Sequence, residues 1–302
     1  MQEISHLFPL IFAILYFFPS TFSTISSNNN YKLYHHSLLR PVIWSWRIME
    51  LIDTHAHLEE IENLKYAIEN AVKVGVKAII AMGSDYDSNV WVLNESRKYE
   101  VEGLKIYPAI GLHPWGLDPM KASETISFIE KFVDEVVAIG EIGLDYWYKE
   151  VRKNEDLKRL QREVFRRVLT IARDRGKPVS IHSRGAWMDC VDITIEIGVK
   201  KAVFHWFSGP MEALRKILDH GYYISATPAA AYSKEHRKAI AETPLENIVL
   251  ETDSPVIYAG EKSEPSHIIK ALNAVAELKG EGIEVIAEKT TENAKRVFQL
   301  HI

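Results

Sequence analysis

Six side chains in this sequence have types and settings suited to joint chemistry. They are His55 and His57 in "LIDTHAHLEE", Glu141 in "GEIGLDY", His182 in "IHSR", His205 in "FHWFSG" and Asp253 in "ETDSP". Imidazole and carboxylate are the usual ligands of zinc, manganese and similar divalent ions. Asp53, His55 and His57 fall on alternate positions of one apolar run, so a strand there turns all three the same way. Burying three ionisable groups together is costly unless something binds them. Asp53 lies deepest of the three and is expected to support rather than to ligate. Four histidines, a glutamate and an aspartate suffice for two ions if Glu141 bridges them. Such a pair lowers the pKa of a water toward ~7 and neutralises charge on a leaving oxygen. Asp253 is then expected both to ligate and to take the proton of the attacking water. The chemistry is metal-assisted hydrolysis of an ester, an amide or a phosphodiester, and these residues alone do not choose among the three.

Two further residues are candidates for substrate contact. Arg184 follows His182 by two positions, where its guanidinium is placed to hold a phosphate bidentately. His113, in "GLHP", reads either as a substrate contact or as a hydrogen-bonding neighbour of a metal ligand.

These residues meet only if the fold gathers them. From residue 50 onward, short β-branched runs alternate with helical patterns. Strands are predicted at 51–57, 76–83, 105–113, 136–145, 178–183, 201–207, 222–228 and 248–255. Between them lie stretches such as "EDLKRLQREVFRRVLTIARDRG", where Leu157, Leu160, Val164, Val168 and Ile171 recur at helical spacing. Eight strand–helix units in about 250 residues fit a (β/α)₈ TIM barrel, an α/β fold. An open doubly wound sheet is the rival, and it would gather chemistry at one central crevice. Polar groups instead close strands 1, 3, 4, 5, 6 and 8, which places a metal site at the C-terminal ends of barrel strands.

Composition sets limits on partners. The chain has 302 residues, and residues 49–302 carry 33 basic and 40 acidic side chains, net −7. So acidic a domain has no general attraction for nucleic acid, and any phosphate must be held locally by ions or a few placed cations. Lys158, Arg159, Arg162, Arg166 and Arg173 fall on one side of their helix, opposite its apolar stripe, and read as a solvated outer face rather than a DNA surface. Cys190, the only cysteine, excludes an intramolecular disulfide and reads as a small apolar residue inside a helix. Residues 1–48 differ from the rest. The run "LFPLIFAILYFF" is too short to span a bilayer and lacks the basic flank and cleavage site of a signal peptide. The favoured reading is a start at Met49, with 1–48 a disordered extension or an over-extended gene start. The expected product is a cytoplasmic protein without membrane partners.

The motifs "IDTHAHL", "GLHP", "GEIGLDY", "IHSR", "FHWFSG" and "ETDSP" occur in the order and context of the TatD family of metal-dependent deoxyribonucleases, within the amidohydrolase superfamily. The chain resembles that family across residues 50–300, including the closing "TTENAKRVFQL". The resemblance implies a barrel with a binuclear site. It places one divalent ion on His55, His57, Glu141 and Asp253, and a second on Glu141, His182 and His205, with Mg, Mn or Zn as the candidates. It implies a 3′→5′ exonuclease acting on DNA, on single strands or 3′ ends. The alternative it carries is a D-aminoacyl-tRNA deacylase or another ester or amide hydrolase. The chain departs from the family pattern at two places. Trp206 stands where the family has Cys in "HCFSG", and strand alternation predicts that it faces away from His205. "EKSEPSHI" replaces the common "RNEP", which removes an Arg and an Asn and bears on the substrate.

Overall fold

A computed structural model of the protein describes residues 49–302, and the readings of residues 1–48 fall outside the described residues. Eight strands alternate with helices. In order these are β1 (Leu51–Ala56), α1 (Leu64–Lys73), β2 (Val76–Met82), α2 (Tyr86–Asn94), β3 (Lys105–Leu112), α3 (Pro119–Phe132), β4 (Ala138–Gly143) and α4 (Glu155–Asp174). There follow β5 (Val179–His182), α5 (Trp187–Ile197), β6 (Ala202–Phe204), α6 (Met211–Asp219), β7 (Tyr223–Ala226), α7 (Lys234–Glu242), β8 (Ile248–Leu250), α8 (Ile268–Lys279) and α9 (Ile283–Phe298). The strands pair in sequence order from β1 to β8, all parallel. The two edges meet where His57 N–H donates to the Ser254 carbonyl (2.8 Å) and Asp253 N–H to the His55 carbonyl (2.9 Å). The result is the expected (β/α)₈ barrel. Each strand is shorter than the apolar run that predicts it, because pairing stops where the chain turns to present its polar residues.

Burial follows the two faces of the sheet. Ile52, Ile80, Met82, Val203 and Val249 fill the barrel and pack with Val297 and Phe298 at the end of α9. On the outer face Ile79, Ile110, Ile139, Ile181 and Ile224 pack in one cluster with the helix stripes, among them Ile68, Ile126, Val168, Val191 and Ile217. A parallel sheet buried on both faces requires such continuous apolar runs.

Helix α4 shows how local sequence sets the frame. The Asn154 side chain accepts from the N–H groups of Asp156 and Leu157, both at 3.1 Å, and so caps the helix. Glu155 and Asp156 suit the positive end of the helix dipole. The inner face buries Val164, Phe165, Val168 and Leu169. On the outer face the basic residues pair with carboxylates, Lys158 with Glu155 and Arg166 with Glu196 among them, as a solvated face should. Cys190 is fully buried within α5. No helix among the described residues is long and apolar enough to cross a membrane.

Candidate metal centre

Each predicted donor leaves the barrel at, or just past, the C-terminal end of a strand. His55 lies in β1 and His57 one residue beyond it; His113 follows β3, Glu141 lies in β4, His182 ends β5, His205 follows β6 and Asp253 follows β8. A cavity of about 930 Å³ opens there, lined among others by His57, His113, Glu141, His182, Arg184, His205 and Asp253. Two glycines let the strands approach closely enough. A Cβ on Gly111 would lie 2.5 Å from the Glu141 backbone nitrogen. One on Gly143, whose φ is +147°, would lie 1.9 Å from the His182 carbonyl oxygen.

Glu141 sits at the middle of the cluster with its two oxygens divided between two groups of imidazoles. Oε2 lies 3.5 Å from His55 Nε2 and 3.3 Å from His57 Nε2. Oε1 lies 2.9 Å from His182 Nδ1, 2.9 Å from His205 Nε2 and 3.4 Å from His113 Nε2. Asp253 Oδ1 closes the first group at 3.6 Å from His55 Nε2 and 3.7 Å from His57 Nε2. The four histidines and two acids expected to ligate are thus brought together.

The outer nitrogens of the rings show what the inner ones offer. His57 Nδ1 meets the Met82 carbonyl at 3.2 Å, and a carbonyl only accepts, so the ring proton sits on Nδ1 and Nε2 is bare. His182 Nε2 donates to Asp145 Oδ2 at 3.0 Å, which leaves Nδ1 bare. His205 Nδ1 lies 3.4 Å from the Glu251 carboxylate, an ion-pair distance without a hydrogen bond, while its Nε2 faces Glu141. Bare nitrogens facing carboxylate oxygens at 2.9–3.7 Å repel unless a cation or a proton lies between. Divalent ions hold such ligands at about 2.0–2.2 Å, which sets neighbouring ligand atoms about 3–3.6 Å apart. The donor set therefore fits a divalent metal. Three overlapping groups can hold one: His55, Glu141 and His205; His55, His57 and Asp253; and His113, Glu141 and His182. His113 differs from the other rings. Its Nδ1 accepts from Trp115 N–H at 3.2 Å, so its proton sits on Nε2, facing Glu141. Of the two readings open for His113, this geometry offers the hydrogen-bonding neighbour.

Electrostatics show that the cluster demands positive charge, which protons on the inward nitrogens would supply in the absence of an ion. Burial works against the charged form of His57, but Glu141 and Asp253 outweigh it and push the ring up to about 9. His182 and His205 are raised in the same way, against burial, by their carboxylate neighbours. Burial would raise Glu141, yet the surrounding imidazoles hold it well below the usual range. Asp253 goes the other way, raised by burial. His113 falls to about 4, mainly through burial, and is neutral.

Beneath the donors lie two acids that sequence reasoning did not single out for a role. Asp145 is fully buried. Its Oδ2 accepts from His182 Nε2 (3.0 Å), Trp115 Nε1 (2.7 Å) and Arg184 Nε (2.9 Å), and its Oδ1 accepts from the N–H groups of Trp147 and Tyr148, both at 2.9 Å. Glu251 backs His205 and accepts from Trp206 N–H at 3.0 Å. Their spacing was the available signal: each lies a few residues from a candidate ligand, Asp145 after Glu141 and Glu251 before Asp253. Asp53 is buried but turned onto the end of β8, accepting from Thr252 N–H (2.9 Å) and Thr252 Oγ1 (2.5 Å). It does not share the cavity with His57, because the β1 ladder is irregular between Asp53 and Ala56.

Trp206 overturns its expectation. It lines the cavity beside His205, since β6 ends at Phe204 and strand alternation ends with it. Trp206 has φ +41° and packs against Tyr258, with ring centroids 5.2 Å apart. The charged groups of the segment that replaces "RNEP" are spent on neighbouring helices and loops, Glu261 pairing with Lys270 (2.6 Å) and His267 (3.3 Å), Lys262 with Glu62 (2.9 Å), and Glu264 accepting from Asn70 (3.1 Å). Arg184, in contrast, lines the cavity while leaning on Asp145.

The profile of the family described as TatD related DNase matches residues 52–299. The chain belongs to the TatD family. Among its relatives, YabD of Bacillus subtilis strain 168, an uncharacterized metal-dependent hydrolase, is 33% identical over 264 residues, 83% of this chain and all of that one. Human deoxyribonuclease TATDN3 is 31% identical over 262 residues, 82% of this chain and 94% of that one. The crystal structure of YJJV, a TatD homologue from Escherichia coli K12, superposes with a TM-score of 0.74 at 25% identity, covering 84% of this chain and all of that one. With the donor cluster, family membership makes this TatD chain a metal-dependent hydrolase.

Proposed function

We propose that this TatD hydrolase is a deoxyribonuclease that uses two divalent cations to remove nucleotides from the 3′ ends of single-stranded DNA. The observation that carries the reading is the division of Glu141, one oxygen facing His55 and His57 and the other facing His182 and His205. In this reading Glu141, His55, His57 and Asp253 would hold one cation, and Glu141, His182 and His205 would hold the other. The catalytic unit is residues 49–302, and the compartment is the cytoplasm.

Bound there, the cations supply Lewis acidity toward the phosphodiester and the attacking water. The chain's own residues do the rest. Asp253, its carboxyl raised by burial, accepts the proton of the attacking water. His113 keeps its proton on Nε2 and steadies Glu141. Arg184, anchored through Nε and Nη2 on Asp145, turns its remaining N–H donors to a phosphate oxygen. The cavity has the size of sites that enclose a small ligand, which suits one unstacked chain end better than a duplex. The relative named deoxyribonuclease supports DNA as the polymer.

The test is to incubate the full chain with end-labelled single-stranded DNA and Mg²⁺, Mn²⁺ or Zn²⁺, with D-tyrosyl-tRNA in parallel. Mononucleotides released stepwise from the 3′ end are expected. Hydrolysis of the tRNA ester without cleavage of DNA under any metal would overturn the reading in favour of an esterase.

A further inference from the structure

The loop between β4 and α4 carries two features that the hydrolytic centre does not use. The first is Trp147, which lines the cavity yet stands 65% exposed. Its position is fixed. Its backbone N–H is bound by Asp145 at 2.9 Å, and a Cβ on Gly185 would lie 2.8 Å from its Cδ1. Trp187 meets its edge, with centroids 6.4 Å apart and planes at 69°. An indole held in place while so much of it faces water is a costly arrangement for stability alone, and it offers a ring that loses little entropy on binding.

The second feature is charge. Lys149, Arg152 and Lys153 are exposed. None of the three has a carboxylate partner among the described residues, whereas Lys158, Arg159, Arg162 and Arg166 on the following helix are all paired. In a domain of net −7, three cations without carboxylate partners within six residues of the cavity-lining Trp147 are a local exception. Arg184 lies against the same loop, bound to Asp145, with its guanidinium 5.4 Å from the centre of the Trp115 ring.

We propose that Trp147 is the stacking platform for an unpaired nucleobase, and that Lys149, Arg152 and Lys153 hold the phosphates of the strand leading to it. The reasoning is chemical. A base presents a π-face that an exposed indole binds without regard to sequence, and a single strand presents its phosphates to cations alongside. A duplex keeps its bases stacked and offers no face to Trp147. The proposal deepens the nuclease reading and rests on it for the identity of the polymer.

The test uses the full chain, a fluorescent single-stranded oligothymidylate, and bis(4-nitrophenyl) phosphate as a diester without a nucleobase. Trp147→Ala is expected to weaken oligonucleotide binding, followed by anisotropy before cleavage sets in, by about tenfold, while Trp147→Phe retains most of it. Hydrolysis of bis(4-nitrophenyl) phosphate by both variants should stay within about twofold of the parent enzyme. Replacing Lys149, Arg152 and Lys153 together by Gln should flatten the dependence of log Kd on log salt by about 2, from roughly 0.7 for each single-strand phosphate contact. Unchanged binding in Trp147→Ala, or an equal loss on both substrates, overturns the proposal. A parent enzyme that binds and stacks the oligonucleotide but cleaves no DNA refutes the nuclease reading instead and leaves the platform standing.

Discussion

Asp145→Asn is the substitution on which the arrangement of the centre can be tested most sharply. The carboxylate accepts five hydrogen bonds, three of them from side chains of His182, Trp115 and Arg184. Asparagine keeps the size and can still accept the two backbone N–H groups on one oxygen. Its amide nitrogen then faces three donors it cannot receive. Bonds to a charged acceptor contribute about 1.5–3 kcal/mol each. Breaking a buried charged pair typically costs about 3–5 kcal/mol in total, and we take that range here because the pocket will relax. For a domain of this size such a loss lowers Tm by about 10 °C.

Stability alone would make Asp145 a loop anchor. The stronger claim is that it keeps the proton on His182 Nε2 and so leaves Nδ1 free to face Glu141. Removing such a support behind a metal-binding histidine typically reduces metal affinity or activity by about 10–100-fold. The assay pairs differential scanning fluorimetry with titration of Mn²⁺ or Zn²⁺ into the chelator-treated protein, and with kcat on single-stranded DNA. Trp115→Phe serves as the control, because it removes one bond to Asp145 and leaves His182 held. It should keep metal affinity within about twofold. Should Asp145→Asn lose stability yet bind metal and turn over as tightly as the control, the reasoning about His182 is wrong.

Three further outcomes follow from the same geometry. Glu141→Gln should lower the bound cation content, measured by elemental analysis after dialysis, from about two per chain to one or none, with kcat falling at least about a thousandfold; a variant that retains two cations refutes the bridge. Chelation should lower Tm by about 10 °C, since a ligand present at about a thousand times its Kd stabilises by about 4 kcal/mol, and Zn²⁺ or Mn²⁺ added back should restore it; a Tm indifferent to chelator would count against a bound ion. His236 is fully buried against the Phe207 carbonyl (2.8 Å), and burial depresses it to about 4. The unfolded chain therefore takes up a proton below about pH 6.5 that the folded chain refuses until about pH 4, so stability falls as pH drops through that window, by up to about 3 kcal/mol. Urea denaturation at pH 7, 5.5 and 4.5 should show this slope, and His236→Gln should flatten it.

The fold was readable because its period is local. Each of the eight strands is a short β-branched run between punctuating residues, and α4 shows its stripe and its Asn154 cap without help from anything distant. The gathering of His55, His57, Glu141, His182, His205 and Asp253 was readable for a related reason: once the strands close in order, their C-terminal ends have only one mouth to share. Alternation failed wherever pairing did. Trp206 was expected to turn outward, but it lies beyond the last paired residue of β6, and its backbone is set by Glu251 and Ser225 rather than by a ladder. Asp53 was expected on the face of His55, and the irregular ladder beyond it sends it to Thr252 instead. Asp145 could not be weighed from sequence at all, because its worth lies in donors brought by His113's neighbour Trp115, by His182 and by Arg184.

What the structure adds is a rule for the centre as a whole. The inward nitrogens of His57 and His182 are offered to a cation because the outward ones are committed, and each commitment comes from a different part of the barrel. Met82 supplies a carbonyl from the end of β2 and Asp145 a carboxylate from the loop after β4, while Glu251, from the turn after β8, sets its charge 3.4 Å from His205 Nδ1. The ligand-ready state of the rings is therefore a property of barrel closure and not of any single motif. A peptide containing "LIDTHAHLEE" alone would have His57 free to carry its proton on either nitrogen. Only with β2 alongside β1 does Met82 make the choice, and only with β4 beside β5 does Asp145 make it for His182.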